Sequence, residues 1–340
     1  MLNIKYIKVR RIKMSLAATV FEQVLVILAI IFIGVICYKI KLIDEVSSEK
    51  LNNILLYLVL PIVILVSYQR EFSMELFNGL LVSFLLALIT HLLSIGISYL
   101  FFRRKKTVMV RDADDVSKET VDNPDYLVER YSVIYSNCAF MGIPLINGIF
   151  GYEGVFYATA YITIWNIFTW THGVILMDKD DSNKKDFKSI LSKLKSPTIA
   201  AIIIGLILFL LQIKLPRTVL TAFEYISNLN TPFAMLIAGV TIGQTEIIKT
   251  IKKVRIYAIA LFRLILIPIV LLIIYSFFPI SEIVLITSIV LAAAPTATMA
   301  ILLSIRYKQN SIYAAEIFAI TTILSSITLP LIINIVEKML

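Results

Sequence analysis

The segment Ser136-Asn-Cys-Ala-Phe-Met-Gly-Ile-Pro-Leu145 lies within the apolar stretch Tyr131–Phe150, which is long enough to cross a bilayer as a helix. Pro144 falls near the middle of this stretch. Because proline has no N–H group and its ring clashes with the preceding turn, it breaks a helix or begins a new one. Unpaired backbone groups are costly in hydrocarbon, so such a break survives only where protein or water lines it. The segment therefore predicts a broken membrane helix beside a cavity.

A second segment, Ala292-Ala-Ala-Pro-Thr-Ala-Thr298, repeats this pattern within the apolar stretch Ile283–Ser304. If the two broken helices cross, two half-helix N-termini face one point near the bilayer midplane, and each carries roughly half a positive charge. Free N–H groups and that dipole together form an anion site, which would hold a carboxylate without a buried lysine or arginine. The alternative is a simple proline kink whose freed backbone groups are paired by neighbouring helices.

The composition of the whole chain agrees with a membrane protein. Of 340 residues, 59% are hydrophobic and 16% are charged, whereas soluble domains are usually about 45–50% apolar and about 25% charged. A soluble enzyme and a disordered chain are therefore excluded. The net charge of +9 is attributed to cytoplasmic loops rather than to a nucleic-acid partner. Both cysteines lie in apolar stretches, so neither a disulfide, a metal site nor a cofactor is expected.

Ten apolar stretches are candidate membrane spans, which predicts an all-α polytopic membrane protein. They are Leu16–Tyr38, Leu51–Tyr68, Leu76–Phe102, Tyr131–Phe150, Val155–Met177, Pro197–Gln212, Ala222–Gly243, Val254–Phe278, Ile283–Ser304 and Ile312–Val336. Loops after odd-numbered spans carry 22 lysines and arginines, and the opposite side carries 9. The positive-inside rule then places the odd-numbered loops in the cytoplasm and both termini outside the cell membrane. Met1–Lys13 holds five of those nine charges, which suggests Met14 rather than Met1 as the natural start.

The spans divide into two halves of five. The predicted organisation is a tail over 1–15, a first repeat over 16–177 with a cytoplasmic loop at 103–130, a linker over 178–196, and a second repeat over 197–340. Because five is odd, the second half enters the membrane from the other side, as in the inverted repeats of many secondary transporters. Prolines at matching ordinals, Pro61 in the second span and Pro232 in the seventh, predict that both of these spans are interrupted and favour this pairing.

The segment at 136–145 resembles the fourth-helix signature of the auxin efflux carrier family, which includes plant PIN-type carriers and bacterial malate-permease-like proteins. The residues that carry the resemblance are Asn137, Gly142, Pro144 and Leu145, then Ala294-Pro295 followed by Tyr307, then Leu329-Pro330 and Leu60-Pro61. The resemblance implies ten helices in a five-plus-five inverted repeat, with helices four and nine crossing. It also implies secondary transport of a small organic anion through that crossing. The loop at 103–130 is shorter than in many plant carriers, so control seated in that loop is not implied.

The predicted substrate-binding set lies around the two breaks: Asn137, Gly142, Pro144, Pro295, Thr296 and Thr298, with Tyr161 and Asn166 from the fifth span. The Asn137 amide can both donate to and accept from a carboxylate, although it could instead hold the broken backbone. The two threonine hydroxyls could bind the ligand or bond back to their own helix.

Charged and titratable residues within the spans are few. Arg263 lies deep in the eighth span, so it should pair or face water, and Glu316 is its candidate partner. Arg263 could attract the substrate or form a structural ion pair. His91 could couple transport to a proton or simply be a hydrogen-bonded core residue. No aspartate lies within a span and each glutamate falls near a span end, which argues against cation exchange.

These patterns predict a secondary transporter of a small mono- or dicarboxylate, which works by alternating access between a core containing the crossing and a scaffold of spans one, two, six and seven. A proton is a candidate coupling ion, and a homodimer is a candidate assembly. The sequence has no Gly-x-Ser-x-Gly or His-Glu-x-x-His motif, so an enzyme is not expected. The alternatives are a sodium-coupled symporter of the bile-acid-transporter type and a membrane sensor that binds its ligand without moving it.

Overall fold

A computed structural model describes residues 16–112, 115–178 and 197–339. The predicted tail, the proposed start at Met14 and nearly all of the predicted linker at 178–196 lie outside the described residues. The described helices are α1 Leu16–Lys39, α2 Glu45–Ser67, α3 Met74–Phe101, α4 Tyr126–Ile134, α5 Cys138–Met177, α6 Pro197–Leu210, α7 Arg217–Gly243, α8 Ile247–Thr250, α9 Val254–Tyr275, α10 Glu282–Ala293, α11 Met299–Arg306 and α12 Ser311–Met339.

Seven helices within the described ranges are long and apolar enough to cross a membrane, namely α1, α2, α3, α5, α7, α9 and α12. Helices α6 and α10 are apolar but shorter. The prediction of a helical, multi-pass membrane protein is therefore confirmed. The loop at 103–130 contains a feature that was not predicted, an antiparallel hairpin of strands β1 Lys105–Asp112 and β2 Asp115–Asp122. The valines and threonines of these strands are residue types that are enriched in β-structure.

Helix α5 is 40 residues long and is divided at Gly151. This glycine has φ 60° and ψ −153°, a conformation that side chains with a Cβ rarely adopt. The backbone therefore changes direction at Gly151, between the predicted fourth and fifth spans, and helix continues on both sides of this glycine.

Three prolines inside the described helices follow wide π-turns. Leu55–Val59 precedes Pro61, Cys138–Gly142 precedes Pro144, and Phe262–Leu266 precedes Pro268. A π-turn moves the carbonyl that would otherwise clash with the proline ring. Pro61 consequently lies in a continuous helix, and the interruption predicted there is wrong. The chain near Pro232 is similar, because α7 passes through Asn228 and Leu229 with both residues in helical conformation.

The helices pack as two groups. Helix α1 runs along α7, and α2 packs against both α6 and α7. At the α1–α7 contact, the Cα atoms of Gly34 and Gly239 lie so close that a Cβ on either glycine would overlap the backbone of the other helix. The second group contains α3, α5, α9, α10 and α12, and its buried apolar side chains surround the two helix breaks described below.

Candidate functional site

Two helices are interrupted inside the structure, and their interruptions pair with each other. The first lies between α4 and α5, at Tyr135–Asn137, and the second lies between α10 and α11, at Ala294–Thr298. Ser136 and Thr296 form an antiparallel bridge. The Asn137 N–H donates to the Pro295 carbonyl over 2.7 Å, and the Ala297 N–H donates to the Tyr135 carbonyl over 3.0 Å. Each break thus pairs backbone groups that the other break frees.

The first break lies nearer the N-terminus than the position of Pro144 suggests. Pro144 stands at the beginning of a regular helical segment, after the π-turn Cys138–Gly142. Pro295 lies within its break and accepts the hydrogen bond from Asn137. Pro144 therefore lies in a buried helical turn and not in the break. Gly142, two residues earlier, packs against Leu291, and a Cβ on this glycine would overlap the leucine side chain.

Thr296 is committed to the backbone of the break. Its hydroxyl donates to the Ser132 carbonyl over 3.1 Å, and its N–H donates to the Thr321 hydroxyl over 3.2 Å. Thr296 is fully buried, so both of these groups need partners inside the protein. The hydroxyl therefore holds α4 against the second break.

Arg263 lies at the C-terminal ends of α4 and α10. Its guanidinium donates to the Val133 carbonyl over 2.9 Å, to the Ile134 carbonyl over 3.1 Å, to the Ala294 carbonyl over 3.1 Å and to the Ala292 carbonyl. The last carbonyls of a helix have no intrahelical partner and carry its partial negative charge. Arg263 is fully buried and balances both helix ends with one side chain.

Glu316, the expected partner of Arg263, pairs with another residue. Its two carboxylate oxygens accept from Lys253 Nζ over 2.7 and 2.6 Å. The interpretation of Arg263 and Glu316 as an ion pair is therefore wrong. The reason is that the broken helices already present carbonyl oxygens within reach of the guanidinium, so a carboxylate is not needed.

A cavity of about 110 Å³ lies on the other side of the two breaks, where helices α5 and α11 begin. It is comparable to the roughly 150 Å³ cavity that holds benzene in an engineered protein. Its lining comes from the breaks and the turns after them, from α5, and from the facing helices α2 and α6: Asn137, Ala139, Phe140, Ala297, Thr298 and Met299; Ile162, Trp165, Asn166 and Trp170; Leu56, Tyr57 and Leu60; Pro197 and Thr198.

Three of the eight predicted substrate residues meet at this cavity: Asn137, Asn166 and Thr298. The other five, Gly142, Pro144, Pro295, Thr296 and Tyr161, do not line it. Both tryptophans of the chain line the cavity, and neither was predicted. Their presence in one span, five residues apart, was the available signal.

Polar groups at the cavity are neutral. The Asn137 side chain, 5% exposed, has no hydrogen-bond partner for its amide among the described residues. Asn166 donates to the Ile162 carbonyl over 2.9 Å, which leaves its amide oxygen for another donor. The Trp165 indole N–H is buried with no partner in the described part of the chain. Buried polar groups are normally satisfied, so this set is suited to a ligand that both donates and accepts.

The electrostatics of the cavity favour an anion. Helices α5 and α11 begin at its wall, and the first N–H groups of a helix are unpaired and partially positive. Among the described residues, no aspartate, glutamate, lysine or arginine lines the cavity. The helix ends are therefore its main source of charge.

The two histidines lie away from the cavity. His91 is buried, its Nδ1 is 2.7 Å from the Ala87 carbonyl oxygen, and its ring stacks on Phe168 at 5.3 Å. His172 has its Nδ1 2.9 Å from the hydroxyl of Tyr135, a residue of the first break. His172 is therefore within hydrogen-bond distance of the first break, whereas His91, the candidate for proton coupling, approaches Tyr135 only through its ring, with the ring centroids 6.2 Å apart.

Comparison with known proteins agrees with this architecture. Residues 128–333 match the family described as "membrane transport protein", and this range includes both breaks, Arg263 and most of the cavity lining. A protein of Methanothermobacter thermautotrophicus named "uncharacterized transporter" is 24% identical over 311 residues, which cover 91% of this chain and 96% of that protein. Because the family match covers more than half of the sequence, this chain belongs to the membrane transport protein family.

Proposed function

We propose that this protein is a secondary transporter that moves a small organic anion across the cell membrane by alternating access. The observation that carries the proposal is the cavity at the paired breaks. Two helix N-termini and three neutral polar side chains converge there, which is the arrangement that binds a carboxylate without a buried cation. The resemblance of residues 136–145 to the auxin efflux carrier family supports the same substrate class.

In this proposal the chain crosses the membrane ten times, as two inverted repeats of five helices. The length of α5 supports this count. Forty residues at about 1.5 Å each give about 60 Å, twice the thickness of the hydrocarbon core, and Gly151 provides the turn. The reciprocal hydrogen bonds between the two breaks are those expected of two segments related by a two-fold axis. Loops after odd-numbered crossings then face the cytoplasm.

The position of the cavity between two groups of helices supports alternating access. One wall is formed by α2 and α6, which belong to the group with α1 and α7, and the other wall contains both breaks and α5. Rocking of one group against the other would open the cavity to each side in turn. The breaks, which are hydrogen-bonded to each other, would move as one body with the bound anion.

The size and lining of the cavity favour a compact substrate. Its volume of about 110 Å³ suits a short mono- or dicarboxylate better than a large amphipathic anion. Trp165, Trp170 and Tyr57 would contact the carbon skeleton, while the helix N-termini would bind a carboxylate group.

Reconstituted transport tests the proposal. Proteoliposomes that contain the purified protein are loaded with or exposed to labelled carboxylates, including malate and an auxin, under imposed pH and voltage gradients. We expect saturable flux of at least one carboxylate, which Asn137→Ala reduces at least tenfold. Asn53→Ala, on the exposed face of α2, is the matched control and should retain the flux. Absence of flux for every carboxylate under every gradient would overturn the proposal.

A further inference from the structure

The geometry around Arg263 points to a second property: its guanidinium is a built-in cation that takes the place of a coupling metal ion at the C-terminal ends of the broken helices. This inference rests on the proposed transport function, because it assigns Arg263 as the residue that positions the substrate site. It predicts that transport does not require sodium, and that removal of the side chain creates a cation site.

The four carbonyl oxygens around Arg263 are the kind of ligand set that binds a cation. In many transporters with discontinuous helices, unwound carbonyls and half-helix C-terminal ends coordinate Na⁺, while the N-terminal ends face an anionic substrate. Here the carbonyls of Val133, Ile134, Ala292 and Ala294 converge on one guanidinium. A hard cation also prefers oxygen ligands, so the same four oxygens suit sodium once the guanidinium is gone.

The charge of Arg263 is balanced without an acid. The side chain is fully buried, and none of its described hydrogen bonds goes to a carboxylate. Two acids on the helices that pack against the turn of Arg263 are engaged by other cations, since Glu129 of α4 binds Arg255 and Glu316 of α12 binds Lys253. The partially negative C-terminal ends of α4 and α10 therefore balance the positive charge of Arg263, and Arg263 in turn balances the partial charge of both helix ends.

The position of Arg263 on its own helix is fixed locally. It lies in the π-turn Phe262–Leu266 of α9, immediately before Pro268. Such turns occur often at functional sites. Because the guanidinium is covalently attached to α9, this cation cannot leave during a transport cycle as a bound sodium ion can.

Arg263 acts on the cavity through the breaks. Its guanidinium donates to carbonyls where α4 and α10 end. Asn137 and Thr298, the last residues of the two breaks that follow these helices, line the cavity. Arg263 is thus a positioning residue: it fixes the ends of two half-helices whose continuations bind the substrate.

The first test uses purified protein and needs no substrate. Thermal unfolding of wild type, Arg263→Ala and the exposed control Arg306→Ala is measured in choline chloride, and in choline partly replaced by low-millimolar guanidinium chloride or by sodium chloride at constant ionic strength. We expect a lowered Tm for Arg263→Ala that guanidinium or sodium raises by several degrees, and no response in wild type or Arg306→Ala. A Tm for Arg263→Ala that no cation changes would overturn the inference.

Arg263→Gln covers the case in which the alanine variant does not fold. The neutral amide has two N–H donors for the four carbonyls, so its Tm should lie below that of wild type and rise with added sodium or guanidinium. A glutamine variant whose Tm no cation changes would contradict the inference.

The second test separates a positioning role from a merely structural one. In proteoliposomes, wild-type flux should be unchanged when sodium is replaced by choline, whereas Arg263→Ala should gain flux at least fivefold on addition of sodium or guanidinium. Sodium-dependent wild-type flux would overturn the inference and favour the sodium-coupled alternative, while leaving the transport function intact. Absence of any flux would count against the proposed function and not against the thermal result.

Discussion

The backbone N–H of Asn137 lies 2.7 Å from the carbonyl oxygen of Pro295, so the residue that presents its amide to the cavity is also tied to the opposite break. The side chain and the backbone of Asn137 therefore have separate tasks. The backbone joins the two breaks, and the side chain, which lacks a partner among the described residues, is left for a ligand. Substitutions of the Asn137 side chain leave its backbone hydrogen bond in place. They should therefore change substrate binding more than the stability of the fold.

The two threonines of the second break should respond differently to loss of the hydroxyl. Thr296→Val removes the donor to the Ser132 carbonyl and should cost about 1–3 kcal/mol, because that buried carbonyl loses its partner. Thr298→Val alters the cavity wall and should reduce flux with a stability cost below about 1 kcal/mol. Thermal unfolding and flux measured on both variants check this pair. A loss of flux in Thr296→Val and a loss of stability in Thr298→Val would show instead that Thr296 is the residue that contacts the substrate.

The indole N–H of Trp165 should contribute to substrate affinity. Trp165→Phe keeps an aromatic ring at the wall and removes the unpaired donor, so the KM for transport should rise about 2- to 10-fold, as expected for one hydrogen bond. Trp170→Phe, at the same wall but only partly buried, is the control and should change KM less. An unchanged KM in Trp165→Phe would place the ligand elsewhere in the cavity.

Gly142 should be required for packing rather than for binding. A Cβ at this position overlaps the side chain of Leu291 on α10, so Gly142→Ala should destabilise the protein by about 1–3 kcal/mol. Shortening the neighbour should relieve the overlap, and Gly142→Ala combined with Leu291→Ala should be more stable than the sum of the two single effects predicts. Thermal unfolding of the three variants measures this coupling. Strict additivity would contradict the packing role.

The Glu129 carboxylate should matter more for stability than an exposed acid. Glu129 is 1% exposed and accepts two hydrogen bonds of 2.8 Å from Arg255, as well as one from Asn123. Glu129→Gln should cost about 1–3 kcal/mol, less than for a fully buried pair because Arg255 is partly solvated.

Glu71→Gln is the matched control for Glu129→Gln. Its partner Lys214 is largely exposed, as is Glu71 itself, so the cost should lie within about 1 kcal/mol. The two unfolding transitions are compared in the same detergent. Equal losses in both variants would show that burial does not decide the strength of these pairs.

Sequence reasoning predicted the broken helices because a proline in the middle of a membrane span leaves backbone groups unpaired, and lipid cannot pair them. It misplaced the first break because a π-turn accommodates Pro144, and the position of the break is set instead by pairing of Ser136 with Thr296. Such pairing depends on a segment far away in the chain and leaves no local pattern.

The partners of Arg263 were beyond sequence reasoning for a similar reason. A pattern of side chains can suggest a carboxylate such as Glu316, but backbone carbonyls are present at every residue and become ligands only where a helix ends. The cavity was predicted in part: Asn137, Asn166 and Thr298 carry recognisable polar groups, whereas the apolar wall from α2 and α6 depends on how the helices pack.

The backbone contact between Gly34 and Gly239 bears on how the molecule can be immobilised. Because the backbones of α1 and α7 are in direct contact at this point, we expect the two helices to move as one unit. A covalent cross-link between neighbouring positions on them should therefore leave transport unchanged. If transport proceeds by the proposed alternating access, a cross-link from α2 to α5 across the cavity should instead abolish it. Cysteine pairs introduced between α1 and α7, and between α2 and α5, would thus show which helices move relative to each other during transport.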